Sequence, residues 1–349
     1  MRDVMAYSGI VTKIRGMQAK LLTAQDFENL AACSSVPEAV EYLKEKPAYR
    51  EILGQMDEAL YHRGNIEKVL EQSLYSDYSR IYRFAGQKQK QFVKGFWKQY
   101  EIALINYCLR IVFNKYDAPF DLDYKKEYFD KYSKLSIDRL VTSETIEELV
   151  DNLEGTEYYE PLRAVRDSGK ATLYDYDMAL LQYYFIDEWK KRQKALNKKE
   201  TEFYTRDCGT KIDLLNIQWI YRAKKYYRMA PARIYAMTIP IHYHLRVEEF
   251  KSLVEAPDEE QFLQALGETY YKKYLPETGE DISFEKIYRE CLYKLYMADR
   301  KRNPFSIATV NTYLFLKEEE VRKLTTALEC IRYGLTQSEI LGYLGGESQ

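Results

Sequence analysis

Several chemical signatures are missing from this chain of 349 residues. It has neither a GxxxxGK(S/T) loop nor a GxGxxG turn after a strand, so no segment is expected to hold a nucleotide phosphate. Its five cysteines form no CxxC pair and are odd in number, which indicates reduced, mostly buried thiols and neither a disulfide framework nor a zinc site. These features argue against a chain that hydrolyses nucleotides by itself.

The chain also has no strong net charge and no long hydrophobic run. Fifty-two basic and 54 acidic residues give a net charge of −2, which favours neither nucleic acid nor an acidic lipid surface as partner. The longest uncharged run, 303–316, is too short and too polar to span a bilayer. The N-terminus does not resemble a signal peptide. We therefore expect a cytoplasmic protein that another protein must hold if it works at a membrane.

Residues that could bind a metal are few and poorly placed. His242 and His244 are two residues apart, which would place them about 200° apart on a helix. His62 stands alone. Asp175 and Asp177 form a DxD pair, the pattern of some metal-dependent all-helical enzymes, but no second acid cluster accompanies it. Capping or turn formation is the better interpretation, and no residue is assigned a catalytic, cofactor-binding or metal-binding role.

Two basic runs and an excess of tyrosine could mark partner surfaces. The run from Lys190 to Lys199 reads as the solvated end of a helix that begins near Tyr174. Docking of a partner is the next interpretation for this run, whereas nucleic acid is disfavoured because aromatic residues are not interleaved there. A second basic run, from Asp299 to the residues before Asn303 and Pro304, is either a loop or a docking edge. The 34 tyrosines are interpreted mainly as packing residues, because a tyrosine ring can cover an apolar surface while its hydroxyl stays in water. One sequence does not show which single tyrosines lie at an interface.

Helical periodicity runs through most long segments, and strict strand alternation is almost absent. Three segments each carry an apolar stripe at helical spacing. The stripes are Ile102, Ile105, Leu109 and Val112; Ile212, Leu215, Trp219 and Ala223; and Val321, Leu324, Leu328 and Ile331. The sequence therefore predicts an all-α protein.

A Leu–Tyr–Leu pattern occurs three times at long, nearly constant intervals. The three copies are Leu43, Tyr49 and Leu53; Leu153, Tyr158 and Leu162; and Leu266, Tyr271 and Leu275. A second marker, at Asn106, Asn216 and Lys323, recurs at nearly the same intervals as the first leucines. The period of about 110 residues is too long for a solenoid, so each repeat is expected to be a domain with its own core.

Helix caps and prolines suggest where the repeats begin and end. A cap followed by an acid precedes each Leu–Tyr–Leu copy, at Ser35, Ser143 and Asp258, and Pro47 ends the first of these helices. Prolines interrupt the helical pattern at 114–124 and 228–235. The predicted domains are 1–117, 118–229 and 230–349.

With these features, the chain resembles the C subunit of bacterial and archaeal V/A-type ATPases, whose eukaryotic counterpart is the d subunit. The resemblance covers essentially the whole chain. Its opening helix has the family's tyrosine, basic position and double leucine, and Lys323 departs from the asparagine usual in its closing motif. The matching residues are Tyr7, Arg15, Leu21 and Leu22 at the start, and Tyr313, Leu314, Lys317, Glu318, Glu320, Val321 and Leu324 at the end.

The resemblance implies a non-catalytic rotor subunit. Members of the family form a pseudo-threefold funnel of three helical domains on the cytoplasmic face of the membrane rotor ring of proteolipid subunits, and this funnel receives the central stalk. Such a subunit transmits torque and thereby couples ATP hydrolysis or synthesis to H⁺ or Na⁺ transport. It needs no cofactor and no nucleic acid. The alternatives are a metal-dependent all-α enzyme using Asp175 and Asp177, or a generic helical scaffold.

Overall fold

The computed structural model describes residues 2–54, 56–61, 63–115, 121–169, 171–195, 198–275 and 282–345. Within these ranges the secondary structure is helical throughout and contains no strand, which confirms the all-α prediction. The chain divides into two compact units. Unit 1 comprises residues 1–87 and 302–349, and unit 2 comprises residues 88–301.

Unit 1 joins helices from the two ends of the sequence. Its members are α1 (Arg2–Gln18), α2 (Ala24–Ala31), α3 (Val36–Lys44), α4 (Arg50–Leu53), a 3₁₀ helix (Glu58–Leu60), α5 (Arg63–Phe84), α17 (Ile307–Arg332) and α18 (Gln337–Tyr343). The long α17 packs on α1 and α5, and α18 packs on α2. One hydrophobic core therefore contains Leu43, Tyr49 and Leu53 from the N-terminal part and Leu324 from the C-terminal part.

The described part of unit 2 contains four helices of 19 or more residues and several short ones. They are α6 (Gln87–Asn114), α7 (Asp123–Tyr132), α8 (Ile137–Val141), α9 (Ile146–Asp151), α10 (Tyr159–Asp167), α11 (Leu173–Ala195), α12 (Lys198–Lys225), α13 (Pro231–Met237), α14 (Val247–Glu255), α15 (Glu259–Leu266), a 3₁₀ helix (Tyr270–Tyr274) and α16 (Phe284–Arg302). The helix α11 packs on α10 and α12, while α12 also packs on α14 and α15.

The predicted apolar stripes lie on the long helices. All four stripe residues of α6 are buried, so this face of the helix is covered along the length of the stripe. On α12 and α17 the stripes are also buried apart from Leu215 and Val321, which are half-buried. None of the described helices has the length and apolar character needed to cross a membrane. The cysteines are free, and only Cys33 among them is partly exposed, as predicted.

Two of the three predicted helix caps are confirmed and one is wrong. Ser35 caps α3 by accepting a hydrogen bond from the N–H of Glu38, and Asp258 caps α15 in the same way. For α9 the cap is Thr145, whose hydroxyl accepts from Glu148 N at 3.2 Å. Ser143 lies too far before Ile146 to reach the first turn, and its hydroxyl accepts from the side chain of residue 152 instead. With Thr145 as the second cap, the three caps recur at the same intervals as the first leucines of the repeat.

The predicted domain limits remain a prediction. The limit at 117/118 lies outside the described residues, and the limit at 229/230 falls between α12 and α13. Pro231 occupies the first turn of α13, which fits the expected break at this proline. The two compact units are delimited elsewhere, at residues 87/88 and 301/302.

Candidate functional site: three buried tyrosine–carboxylate clamps

The repeated tyrosines Tyr49, Tyr158 and Tyr271 each bind a buried carboxylate. All three side chains are at most 2% exposed. Tyr49 and Tyr158 directly precede α4 and α10, and Tyr271 lies in the 3₁₀ helix Tyr270–Tyr274. Each of these elements follows the second short helix of its repeat. Burying a carboxylate is unfavourable unless hydrogen bonds replace the lost water. The tyrosine hydroxyls supply such bonds, and a hydrogen bond to an ionised acceptor is stronger than one between neutral groups.

The first contact joins Tyr49 to Glu320 on α17. The Tyr49 hydroxyl donates to Glu320 Oε1 at 2.5 Å, and the backbone N–H of Leu22 donates to Oε2 at 2.5 Å. Lys317 Nζ lies 2.8 Å from both the Tyr49 hydroxyl and Glu320 Oε1. The side chains of Lys317 and Glu320 are only 3% and 4% exposed, so this ion pair is buried. Burial, with Glu320 beside it, raises the pKa of Tyr49 well above its usual value.

The second contact joins Tyr158 to Glu101 on α6. The Tyr158 hydroxyl donates to Glu101 Oε2 at 2.5 Å, and the Ser133 hydroxyl donates to Oε1. Burial raises the pKa of Glu101, although both hydroxyl donors act in the opposite direction. Burial and the adjacent carboxylate also raise the pKa of Tyr158. The phenol therefore stays protonated and keeps donating.

The third contact joins Tyr271 to Asp213 on α12. Asp213 Oδ2 accepts from the Tyr271 hydroxyl at 2.8 Å and from the backbone N–H groups of His244 at 2.7 Å and Leu245 at 2.9 Å. Its Oδ1 accepts from Tyr243 N at 3.1 Å. Burial raises the pKa of Asp213, while these donors lower it.

The three contacts share one arrangement, which we call a tyrosine–carboxylate clamp. In each clamp a long-helix carboxylate binds the loop before a pair of short helices and also the tyrosine after that pair. The pairs are α2–α3, α8–α9 and α14–α15. The loop donors Leu22, Ser133 and Leu245 precede their tyrosines by nearly equal intervals in the sequence. Each clamp thus fixes three segments to one another through a single carboxylate.

The first clamp draws its long helix from the far end of the chain. Glu101 and Asp213 precede their tyrosines by 57 and 58 residues, whereas Glu320 is separated from Tyr49 by 271 residues. The last long helix of the sequence therefore completes the first group of short helices. Because the clamp closes unit 1, the N-terminal and C-terminal segments of the chain are held in one core.

The second sequence marker identifies the long helices but not the clamp residues. Asn216 binds both backbone polar groups of Ile239, at 2.8 and 2.9 Å. Among the described atoms, Asn106 Oδ1 is buried without a hydrogen-bond partner, and Lys323 lies 5.7 Å from the centroid of the Phe27 ring. The three marker residues therefore make different contacts.

The sequence identifies Glu320 only as a residue of the closing motif and does not single out Glu101 or Asp213. Each of these acids adjoins the first residue of an apolar stripe, at Ile102, Ile212 and Val321. This signal does not by itself show burial.

The DxD pair does not form a joint site. Asp175 lies at the start of α11, where its Oδ2 accepts from Thr172 N at 2.7 Å and from the Thr172 hydroxyl at 2.6 Å. This confirms the capping interpretation for Asp175. Asp177 is half-buried, and burial raises its pKa. In the part of the chain that the structure describes, no group of three His, Cys, Asp or Glu side chains could hold a metal ion.

The two histidines that the structure describes, His242 and His244, pack against aromatic rings. His242 meets the ring of Phe250 edge-on at 4.8 Å between centroids, and His244 stacks on Tyr270 at 3.9 Å. Burial lowers the pKa of both histidines, so the neutral form is favoured. His62 lies outside the described residues. The interpretation of His242 and His244 as structural residues agrees with these contacts.

The basic runs lie at helix ends. The helix α11 begins at Leu173, one residue from the predicted start, and near its end Lys191 Nζ pairs with Asp187 at 2.5 Å. The structure does not describe the side chains of residues 193–197 in this first run. In the second run, Asp299 is buried and accepts two hydrogen bonds from Arg206, whereas Lys301 is exposed.

Comparison with known proteins adds to this geometry. The model of the ATP synthase (C/AC39) subunit family matches residues 10–343. The chain belongs to this family. Among relatives named as the C subunit of an A-type ATP synthase, the one from Thermococcus kodakarensis is 26% identical over 348 residues, covering 97% of this chain and 90% of the relative. Those from Methanocaldococcus jannaschii and Pyrococcus abyssi are 25% and 27% identical, covering 98% and 97% of this chain and 87% and 90% of the relatives.

The predicted family, that of the C subunits of V/A-type ATPases, is thus confirmed. All three clamps of this ATP synthase subunit lie inside the matched range, from Leu22 to Glu320. The clamps are therefore features of the part of the chain that carries the family relationship.

Proposed function

We propose that this ATP synthase subunit is a non-catalytic rotor component that links the central stalk to the membrane rotor ring. It lies on the cytoplasmic side, is held peripherally by the ring, and transmits the torque that couples ATP hydrolysis or synthesis to H⁺ or Na⁺ transport. The proposal rests chiefly on one observation: three equivalent clamps brace a chain that matches the ATP synthase (C/AC39) subunit family over residues 10–343.

A torque-carrying part must resist shear between its elements, and the clamps supply a physical means. Breaking a clamp separates a buried carboxylate from its donors, which costs about 1–3 kcal/mol for each unsatisfied group and more when it is charged. Because each carboxylate binds two other segments, sliding any one of them disrupts the same group. The clamps therefore favour rigid helical modules over flexible ones.

The crossed connection of the first clamp supports a closed arrangement of three modules. If three repeats formed an open row, each would use the long helix next to it in sequence. Here Glu320, near the C-terminus, completes the module that contains Tyr49. We propose that the repeats, with the approximate ranges 1–117, 118–229 and 230–349, form a pseudo-threefold socket for the shaft, in which the long helix of each repeat clamps the short helices of another.

Binding to the proposed neighbours tests this function. The purified protein should co-elute with central-stalk subunits in size-exclusion chromatography and with the detergent-solubilised rotor ring, and it should hydrolyse no ATP alone. If the protein fails to bind either the stalk or the ring, the proposal is contradicted. ATP hydrolysis by the isolated chain would also contradict it.

A further inference from the structure

Unit 1 contains a cavity of about 640 Å³ beside the first clamp. This volume lies within the range of about 300–1,000 Å³ typical of small-molecule sites. One wall is the face of α1 that carries Gly9, Thr12 and Gly16. A Cβ atom at either glycine would meet no neighbouring atom within 4 Å, so this wall leaves open space.

The floor of the cavity contains a buried cation with an unused donor. Lys317 Nζ carries three N–H groups. Among the described residues, it has two hydrogen-bond acceptors, the Tyr49 hydroxyl and Glu320 Oε1, and it lies 4.5 Å from the Tyr49 ring centroid. An ammonium group that is 3% exposed is stabilised by a further oxygen acceptor. The cavity is where such an acceptor could lie.

The charge of the lining favours an anion. The basic residues Lys13, Lys20, Arg80 and Lys317 line the cavity, against the acidic residues Glu51 and Asp77. Arg80 Nη1 is 3.3 Å from Asp77 Oδ1, and Asp77 Oδ2 also accepts from the Tyr313 hydroxyl at 2.5 Å. Glu320 lies outside the lining but is paired with Lys317, so four basic groups face three acidic ones and one positive charge remains in excess.

The rest of the wall is apolar and includes an aromatic ring. Met17, Ile52 and Phe84 line the cavity, and Phe84 is 52% exposed. Lys13 Nζ lies 5.4 Å from the centroid of the Phe84 ring, which brings a cation and an apolar face together. This combination suits a ligand with a negatively charged group on a flat apolar body.

We propose that this cavity binds a small organic anion that carries an aromatic ring system. Lys317 and Arg80 bind the negative group, and Met17, Ile52 and Phe84 contact the rings. The ligand would contact Lys317, a member of the first clamp, so its binding would stabilise unit 1. The proposal stands on the cavity itself and does not depend on the rotor function.

Two matched probes test the proposal on the full chain. The probe 8-anilinonaphthalene-1-sulfonate carries the required anion, and N-phenyl-1-naphthylamine has the same ring system without the sulfonate. Fluorescence titration should show one saturable site for the sulfonate, with a Kd about tenfold or more lower than that of the neutral probe, as expected for a charge-assisted contact. Equal affinities, or no saturable site, would overturn the proposal.

Two variants locate the site. Gly16→Leu places a side chain in the cavity and should weaken binding of the sulfonate probe about tenfold or more, whereas Gly342→Leu in α18, also with open space around its Cβ, should not. Arg80→Gln should weaken binding about fivefold, with Arg332→Gln on the surface of α17 as its control. Circular dichroism checks that each variant is folded. Unchanged binding to folded Gly16→Leu would show that the probe binds elsewhere.

Discussion

The Tyr49 hydroxyl lies between a buried carboxylate and a buried ammonium group. Tyr49→Phe removes this hydroxyl and leaves the packing of the ring unchanged. Glu320 then loses one donor and Lys317 loses one acceptor, so the variant should lower the free energy of unfolding by about 1–3 kcal/mol. Urea denaturation measures this change.

The exposed Tyr343 provides the matched control for this substitution. Tyr343→Phe should change the free energy of unfolding by no more than about 0.5 kcal/mol, because it alters a surface residue in the same unit. Equal effects of the two substitutions would show that the clamp hydroxyl adds nothing to stability.

Glu101 makes the stability of unit 2 depend on pH. Burial raises its folded-state pKa above the usual 4.5, so the folded protein favours the protonated carboxyl. This contribution is fully present below the unfolded-state pKa and is lost as pH rises through the folded-state pKa. Relative to Glu101→Gln, which cannot titrate, the wild type should therefore lose stability from about pH 4.5 upward.

Urea titrations at several pH values test this sign. The difference in unfolding free energy, wild type minus Glu101→Gln, should decrease as pH rises from about 4.5 through the raised folded-state pKa and then level off. Glu154→Gln, at an exposed position after α9, serves as control and should show no such trend. An increase of the difference with pH would mean that the hydrogen bonds from Ser133 and Tyr158 outweigh burial.

Contact between α12 and the loop before α14 depends on a glycine. A Cβ atom on Gly209 would lie 2.4 Å from Tyr243 Cγ and 2.7 Å from its Cβ, so Tyr243 would have to move. The backbone N–H of Tyr243 also donates to Asp213 Oδ1 in the third clamp. Gly209→Ala should therefore destabilise the protein by about 1–3 kcal/mol, although alanine favours the helix.

Gly342→Ala in α18 is the matched control, because its Cβ would meet nothing within 4 Å. It should stabilise the protein by up to about 1 kcal/mol through helix propensity. Thermal unfolding of the two variants should shift in opposite directions. A stabilising Gly209→Ala would show that the loop adjusts without cost and that the close packing is not restrictive.

Sequence patterns predicted the helices well because their signals are local. The stripe on α6 and the caps at Ser35 and Asp258 follow from neighbouring residues. The pattern predicts Ser143 as the cap of α9, whereas Thr145 is the cap in the structure, since both residues can accept a backbone hydrogen bond and the pattern does not fix the first helical residue.

The clamps could be predicted only in part. Repeated spacing identified their tyrosines, but each partner acid lies at least 57 residues away in sequence. Glutamate within a helix is ordinarily a surface residue, so no local rule indicates that Glu101 or Glu320 is buried. The pairing of Tyr49 with α17 is a tertiary contact over 271 residues, which helical periodicity does not encode.

The assembled chain combines a family relationship over residues 10–343 with three internally braced groups of helices. Rigid modules and a match to an ATP synthase subunit family both fit a part that passes rotation between two larger assemblies. Coupling acts between ATP hydrolysis and ion transport, so it is measured in the complete complex.

Reconstitution of the complex in liposomes, with and without this chain, provides that measurement. ATP hydrolysis and ion uptake are measured together, and their ratio gives the tightness of coupling. We predict that the complex without the chain hydrolyses ATP with little ion uptake, and that adding the purified chain restores uptake. An unchanged ratio of ions transported to ATP hydrolysed in the absence of the chain would contradict the proposed function.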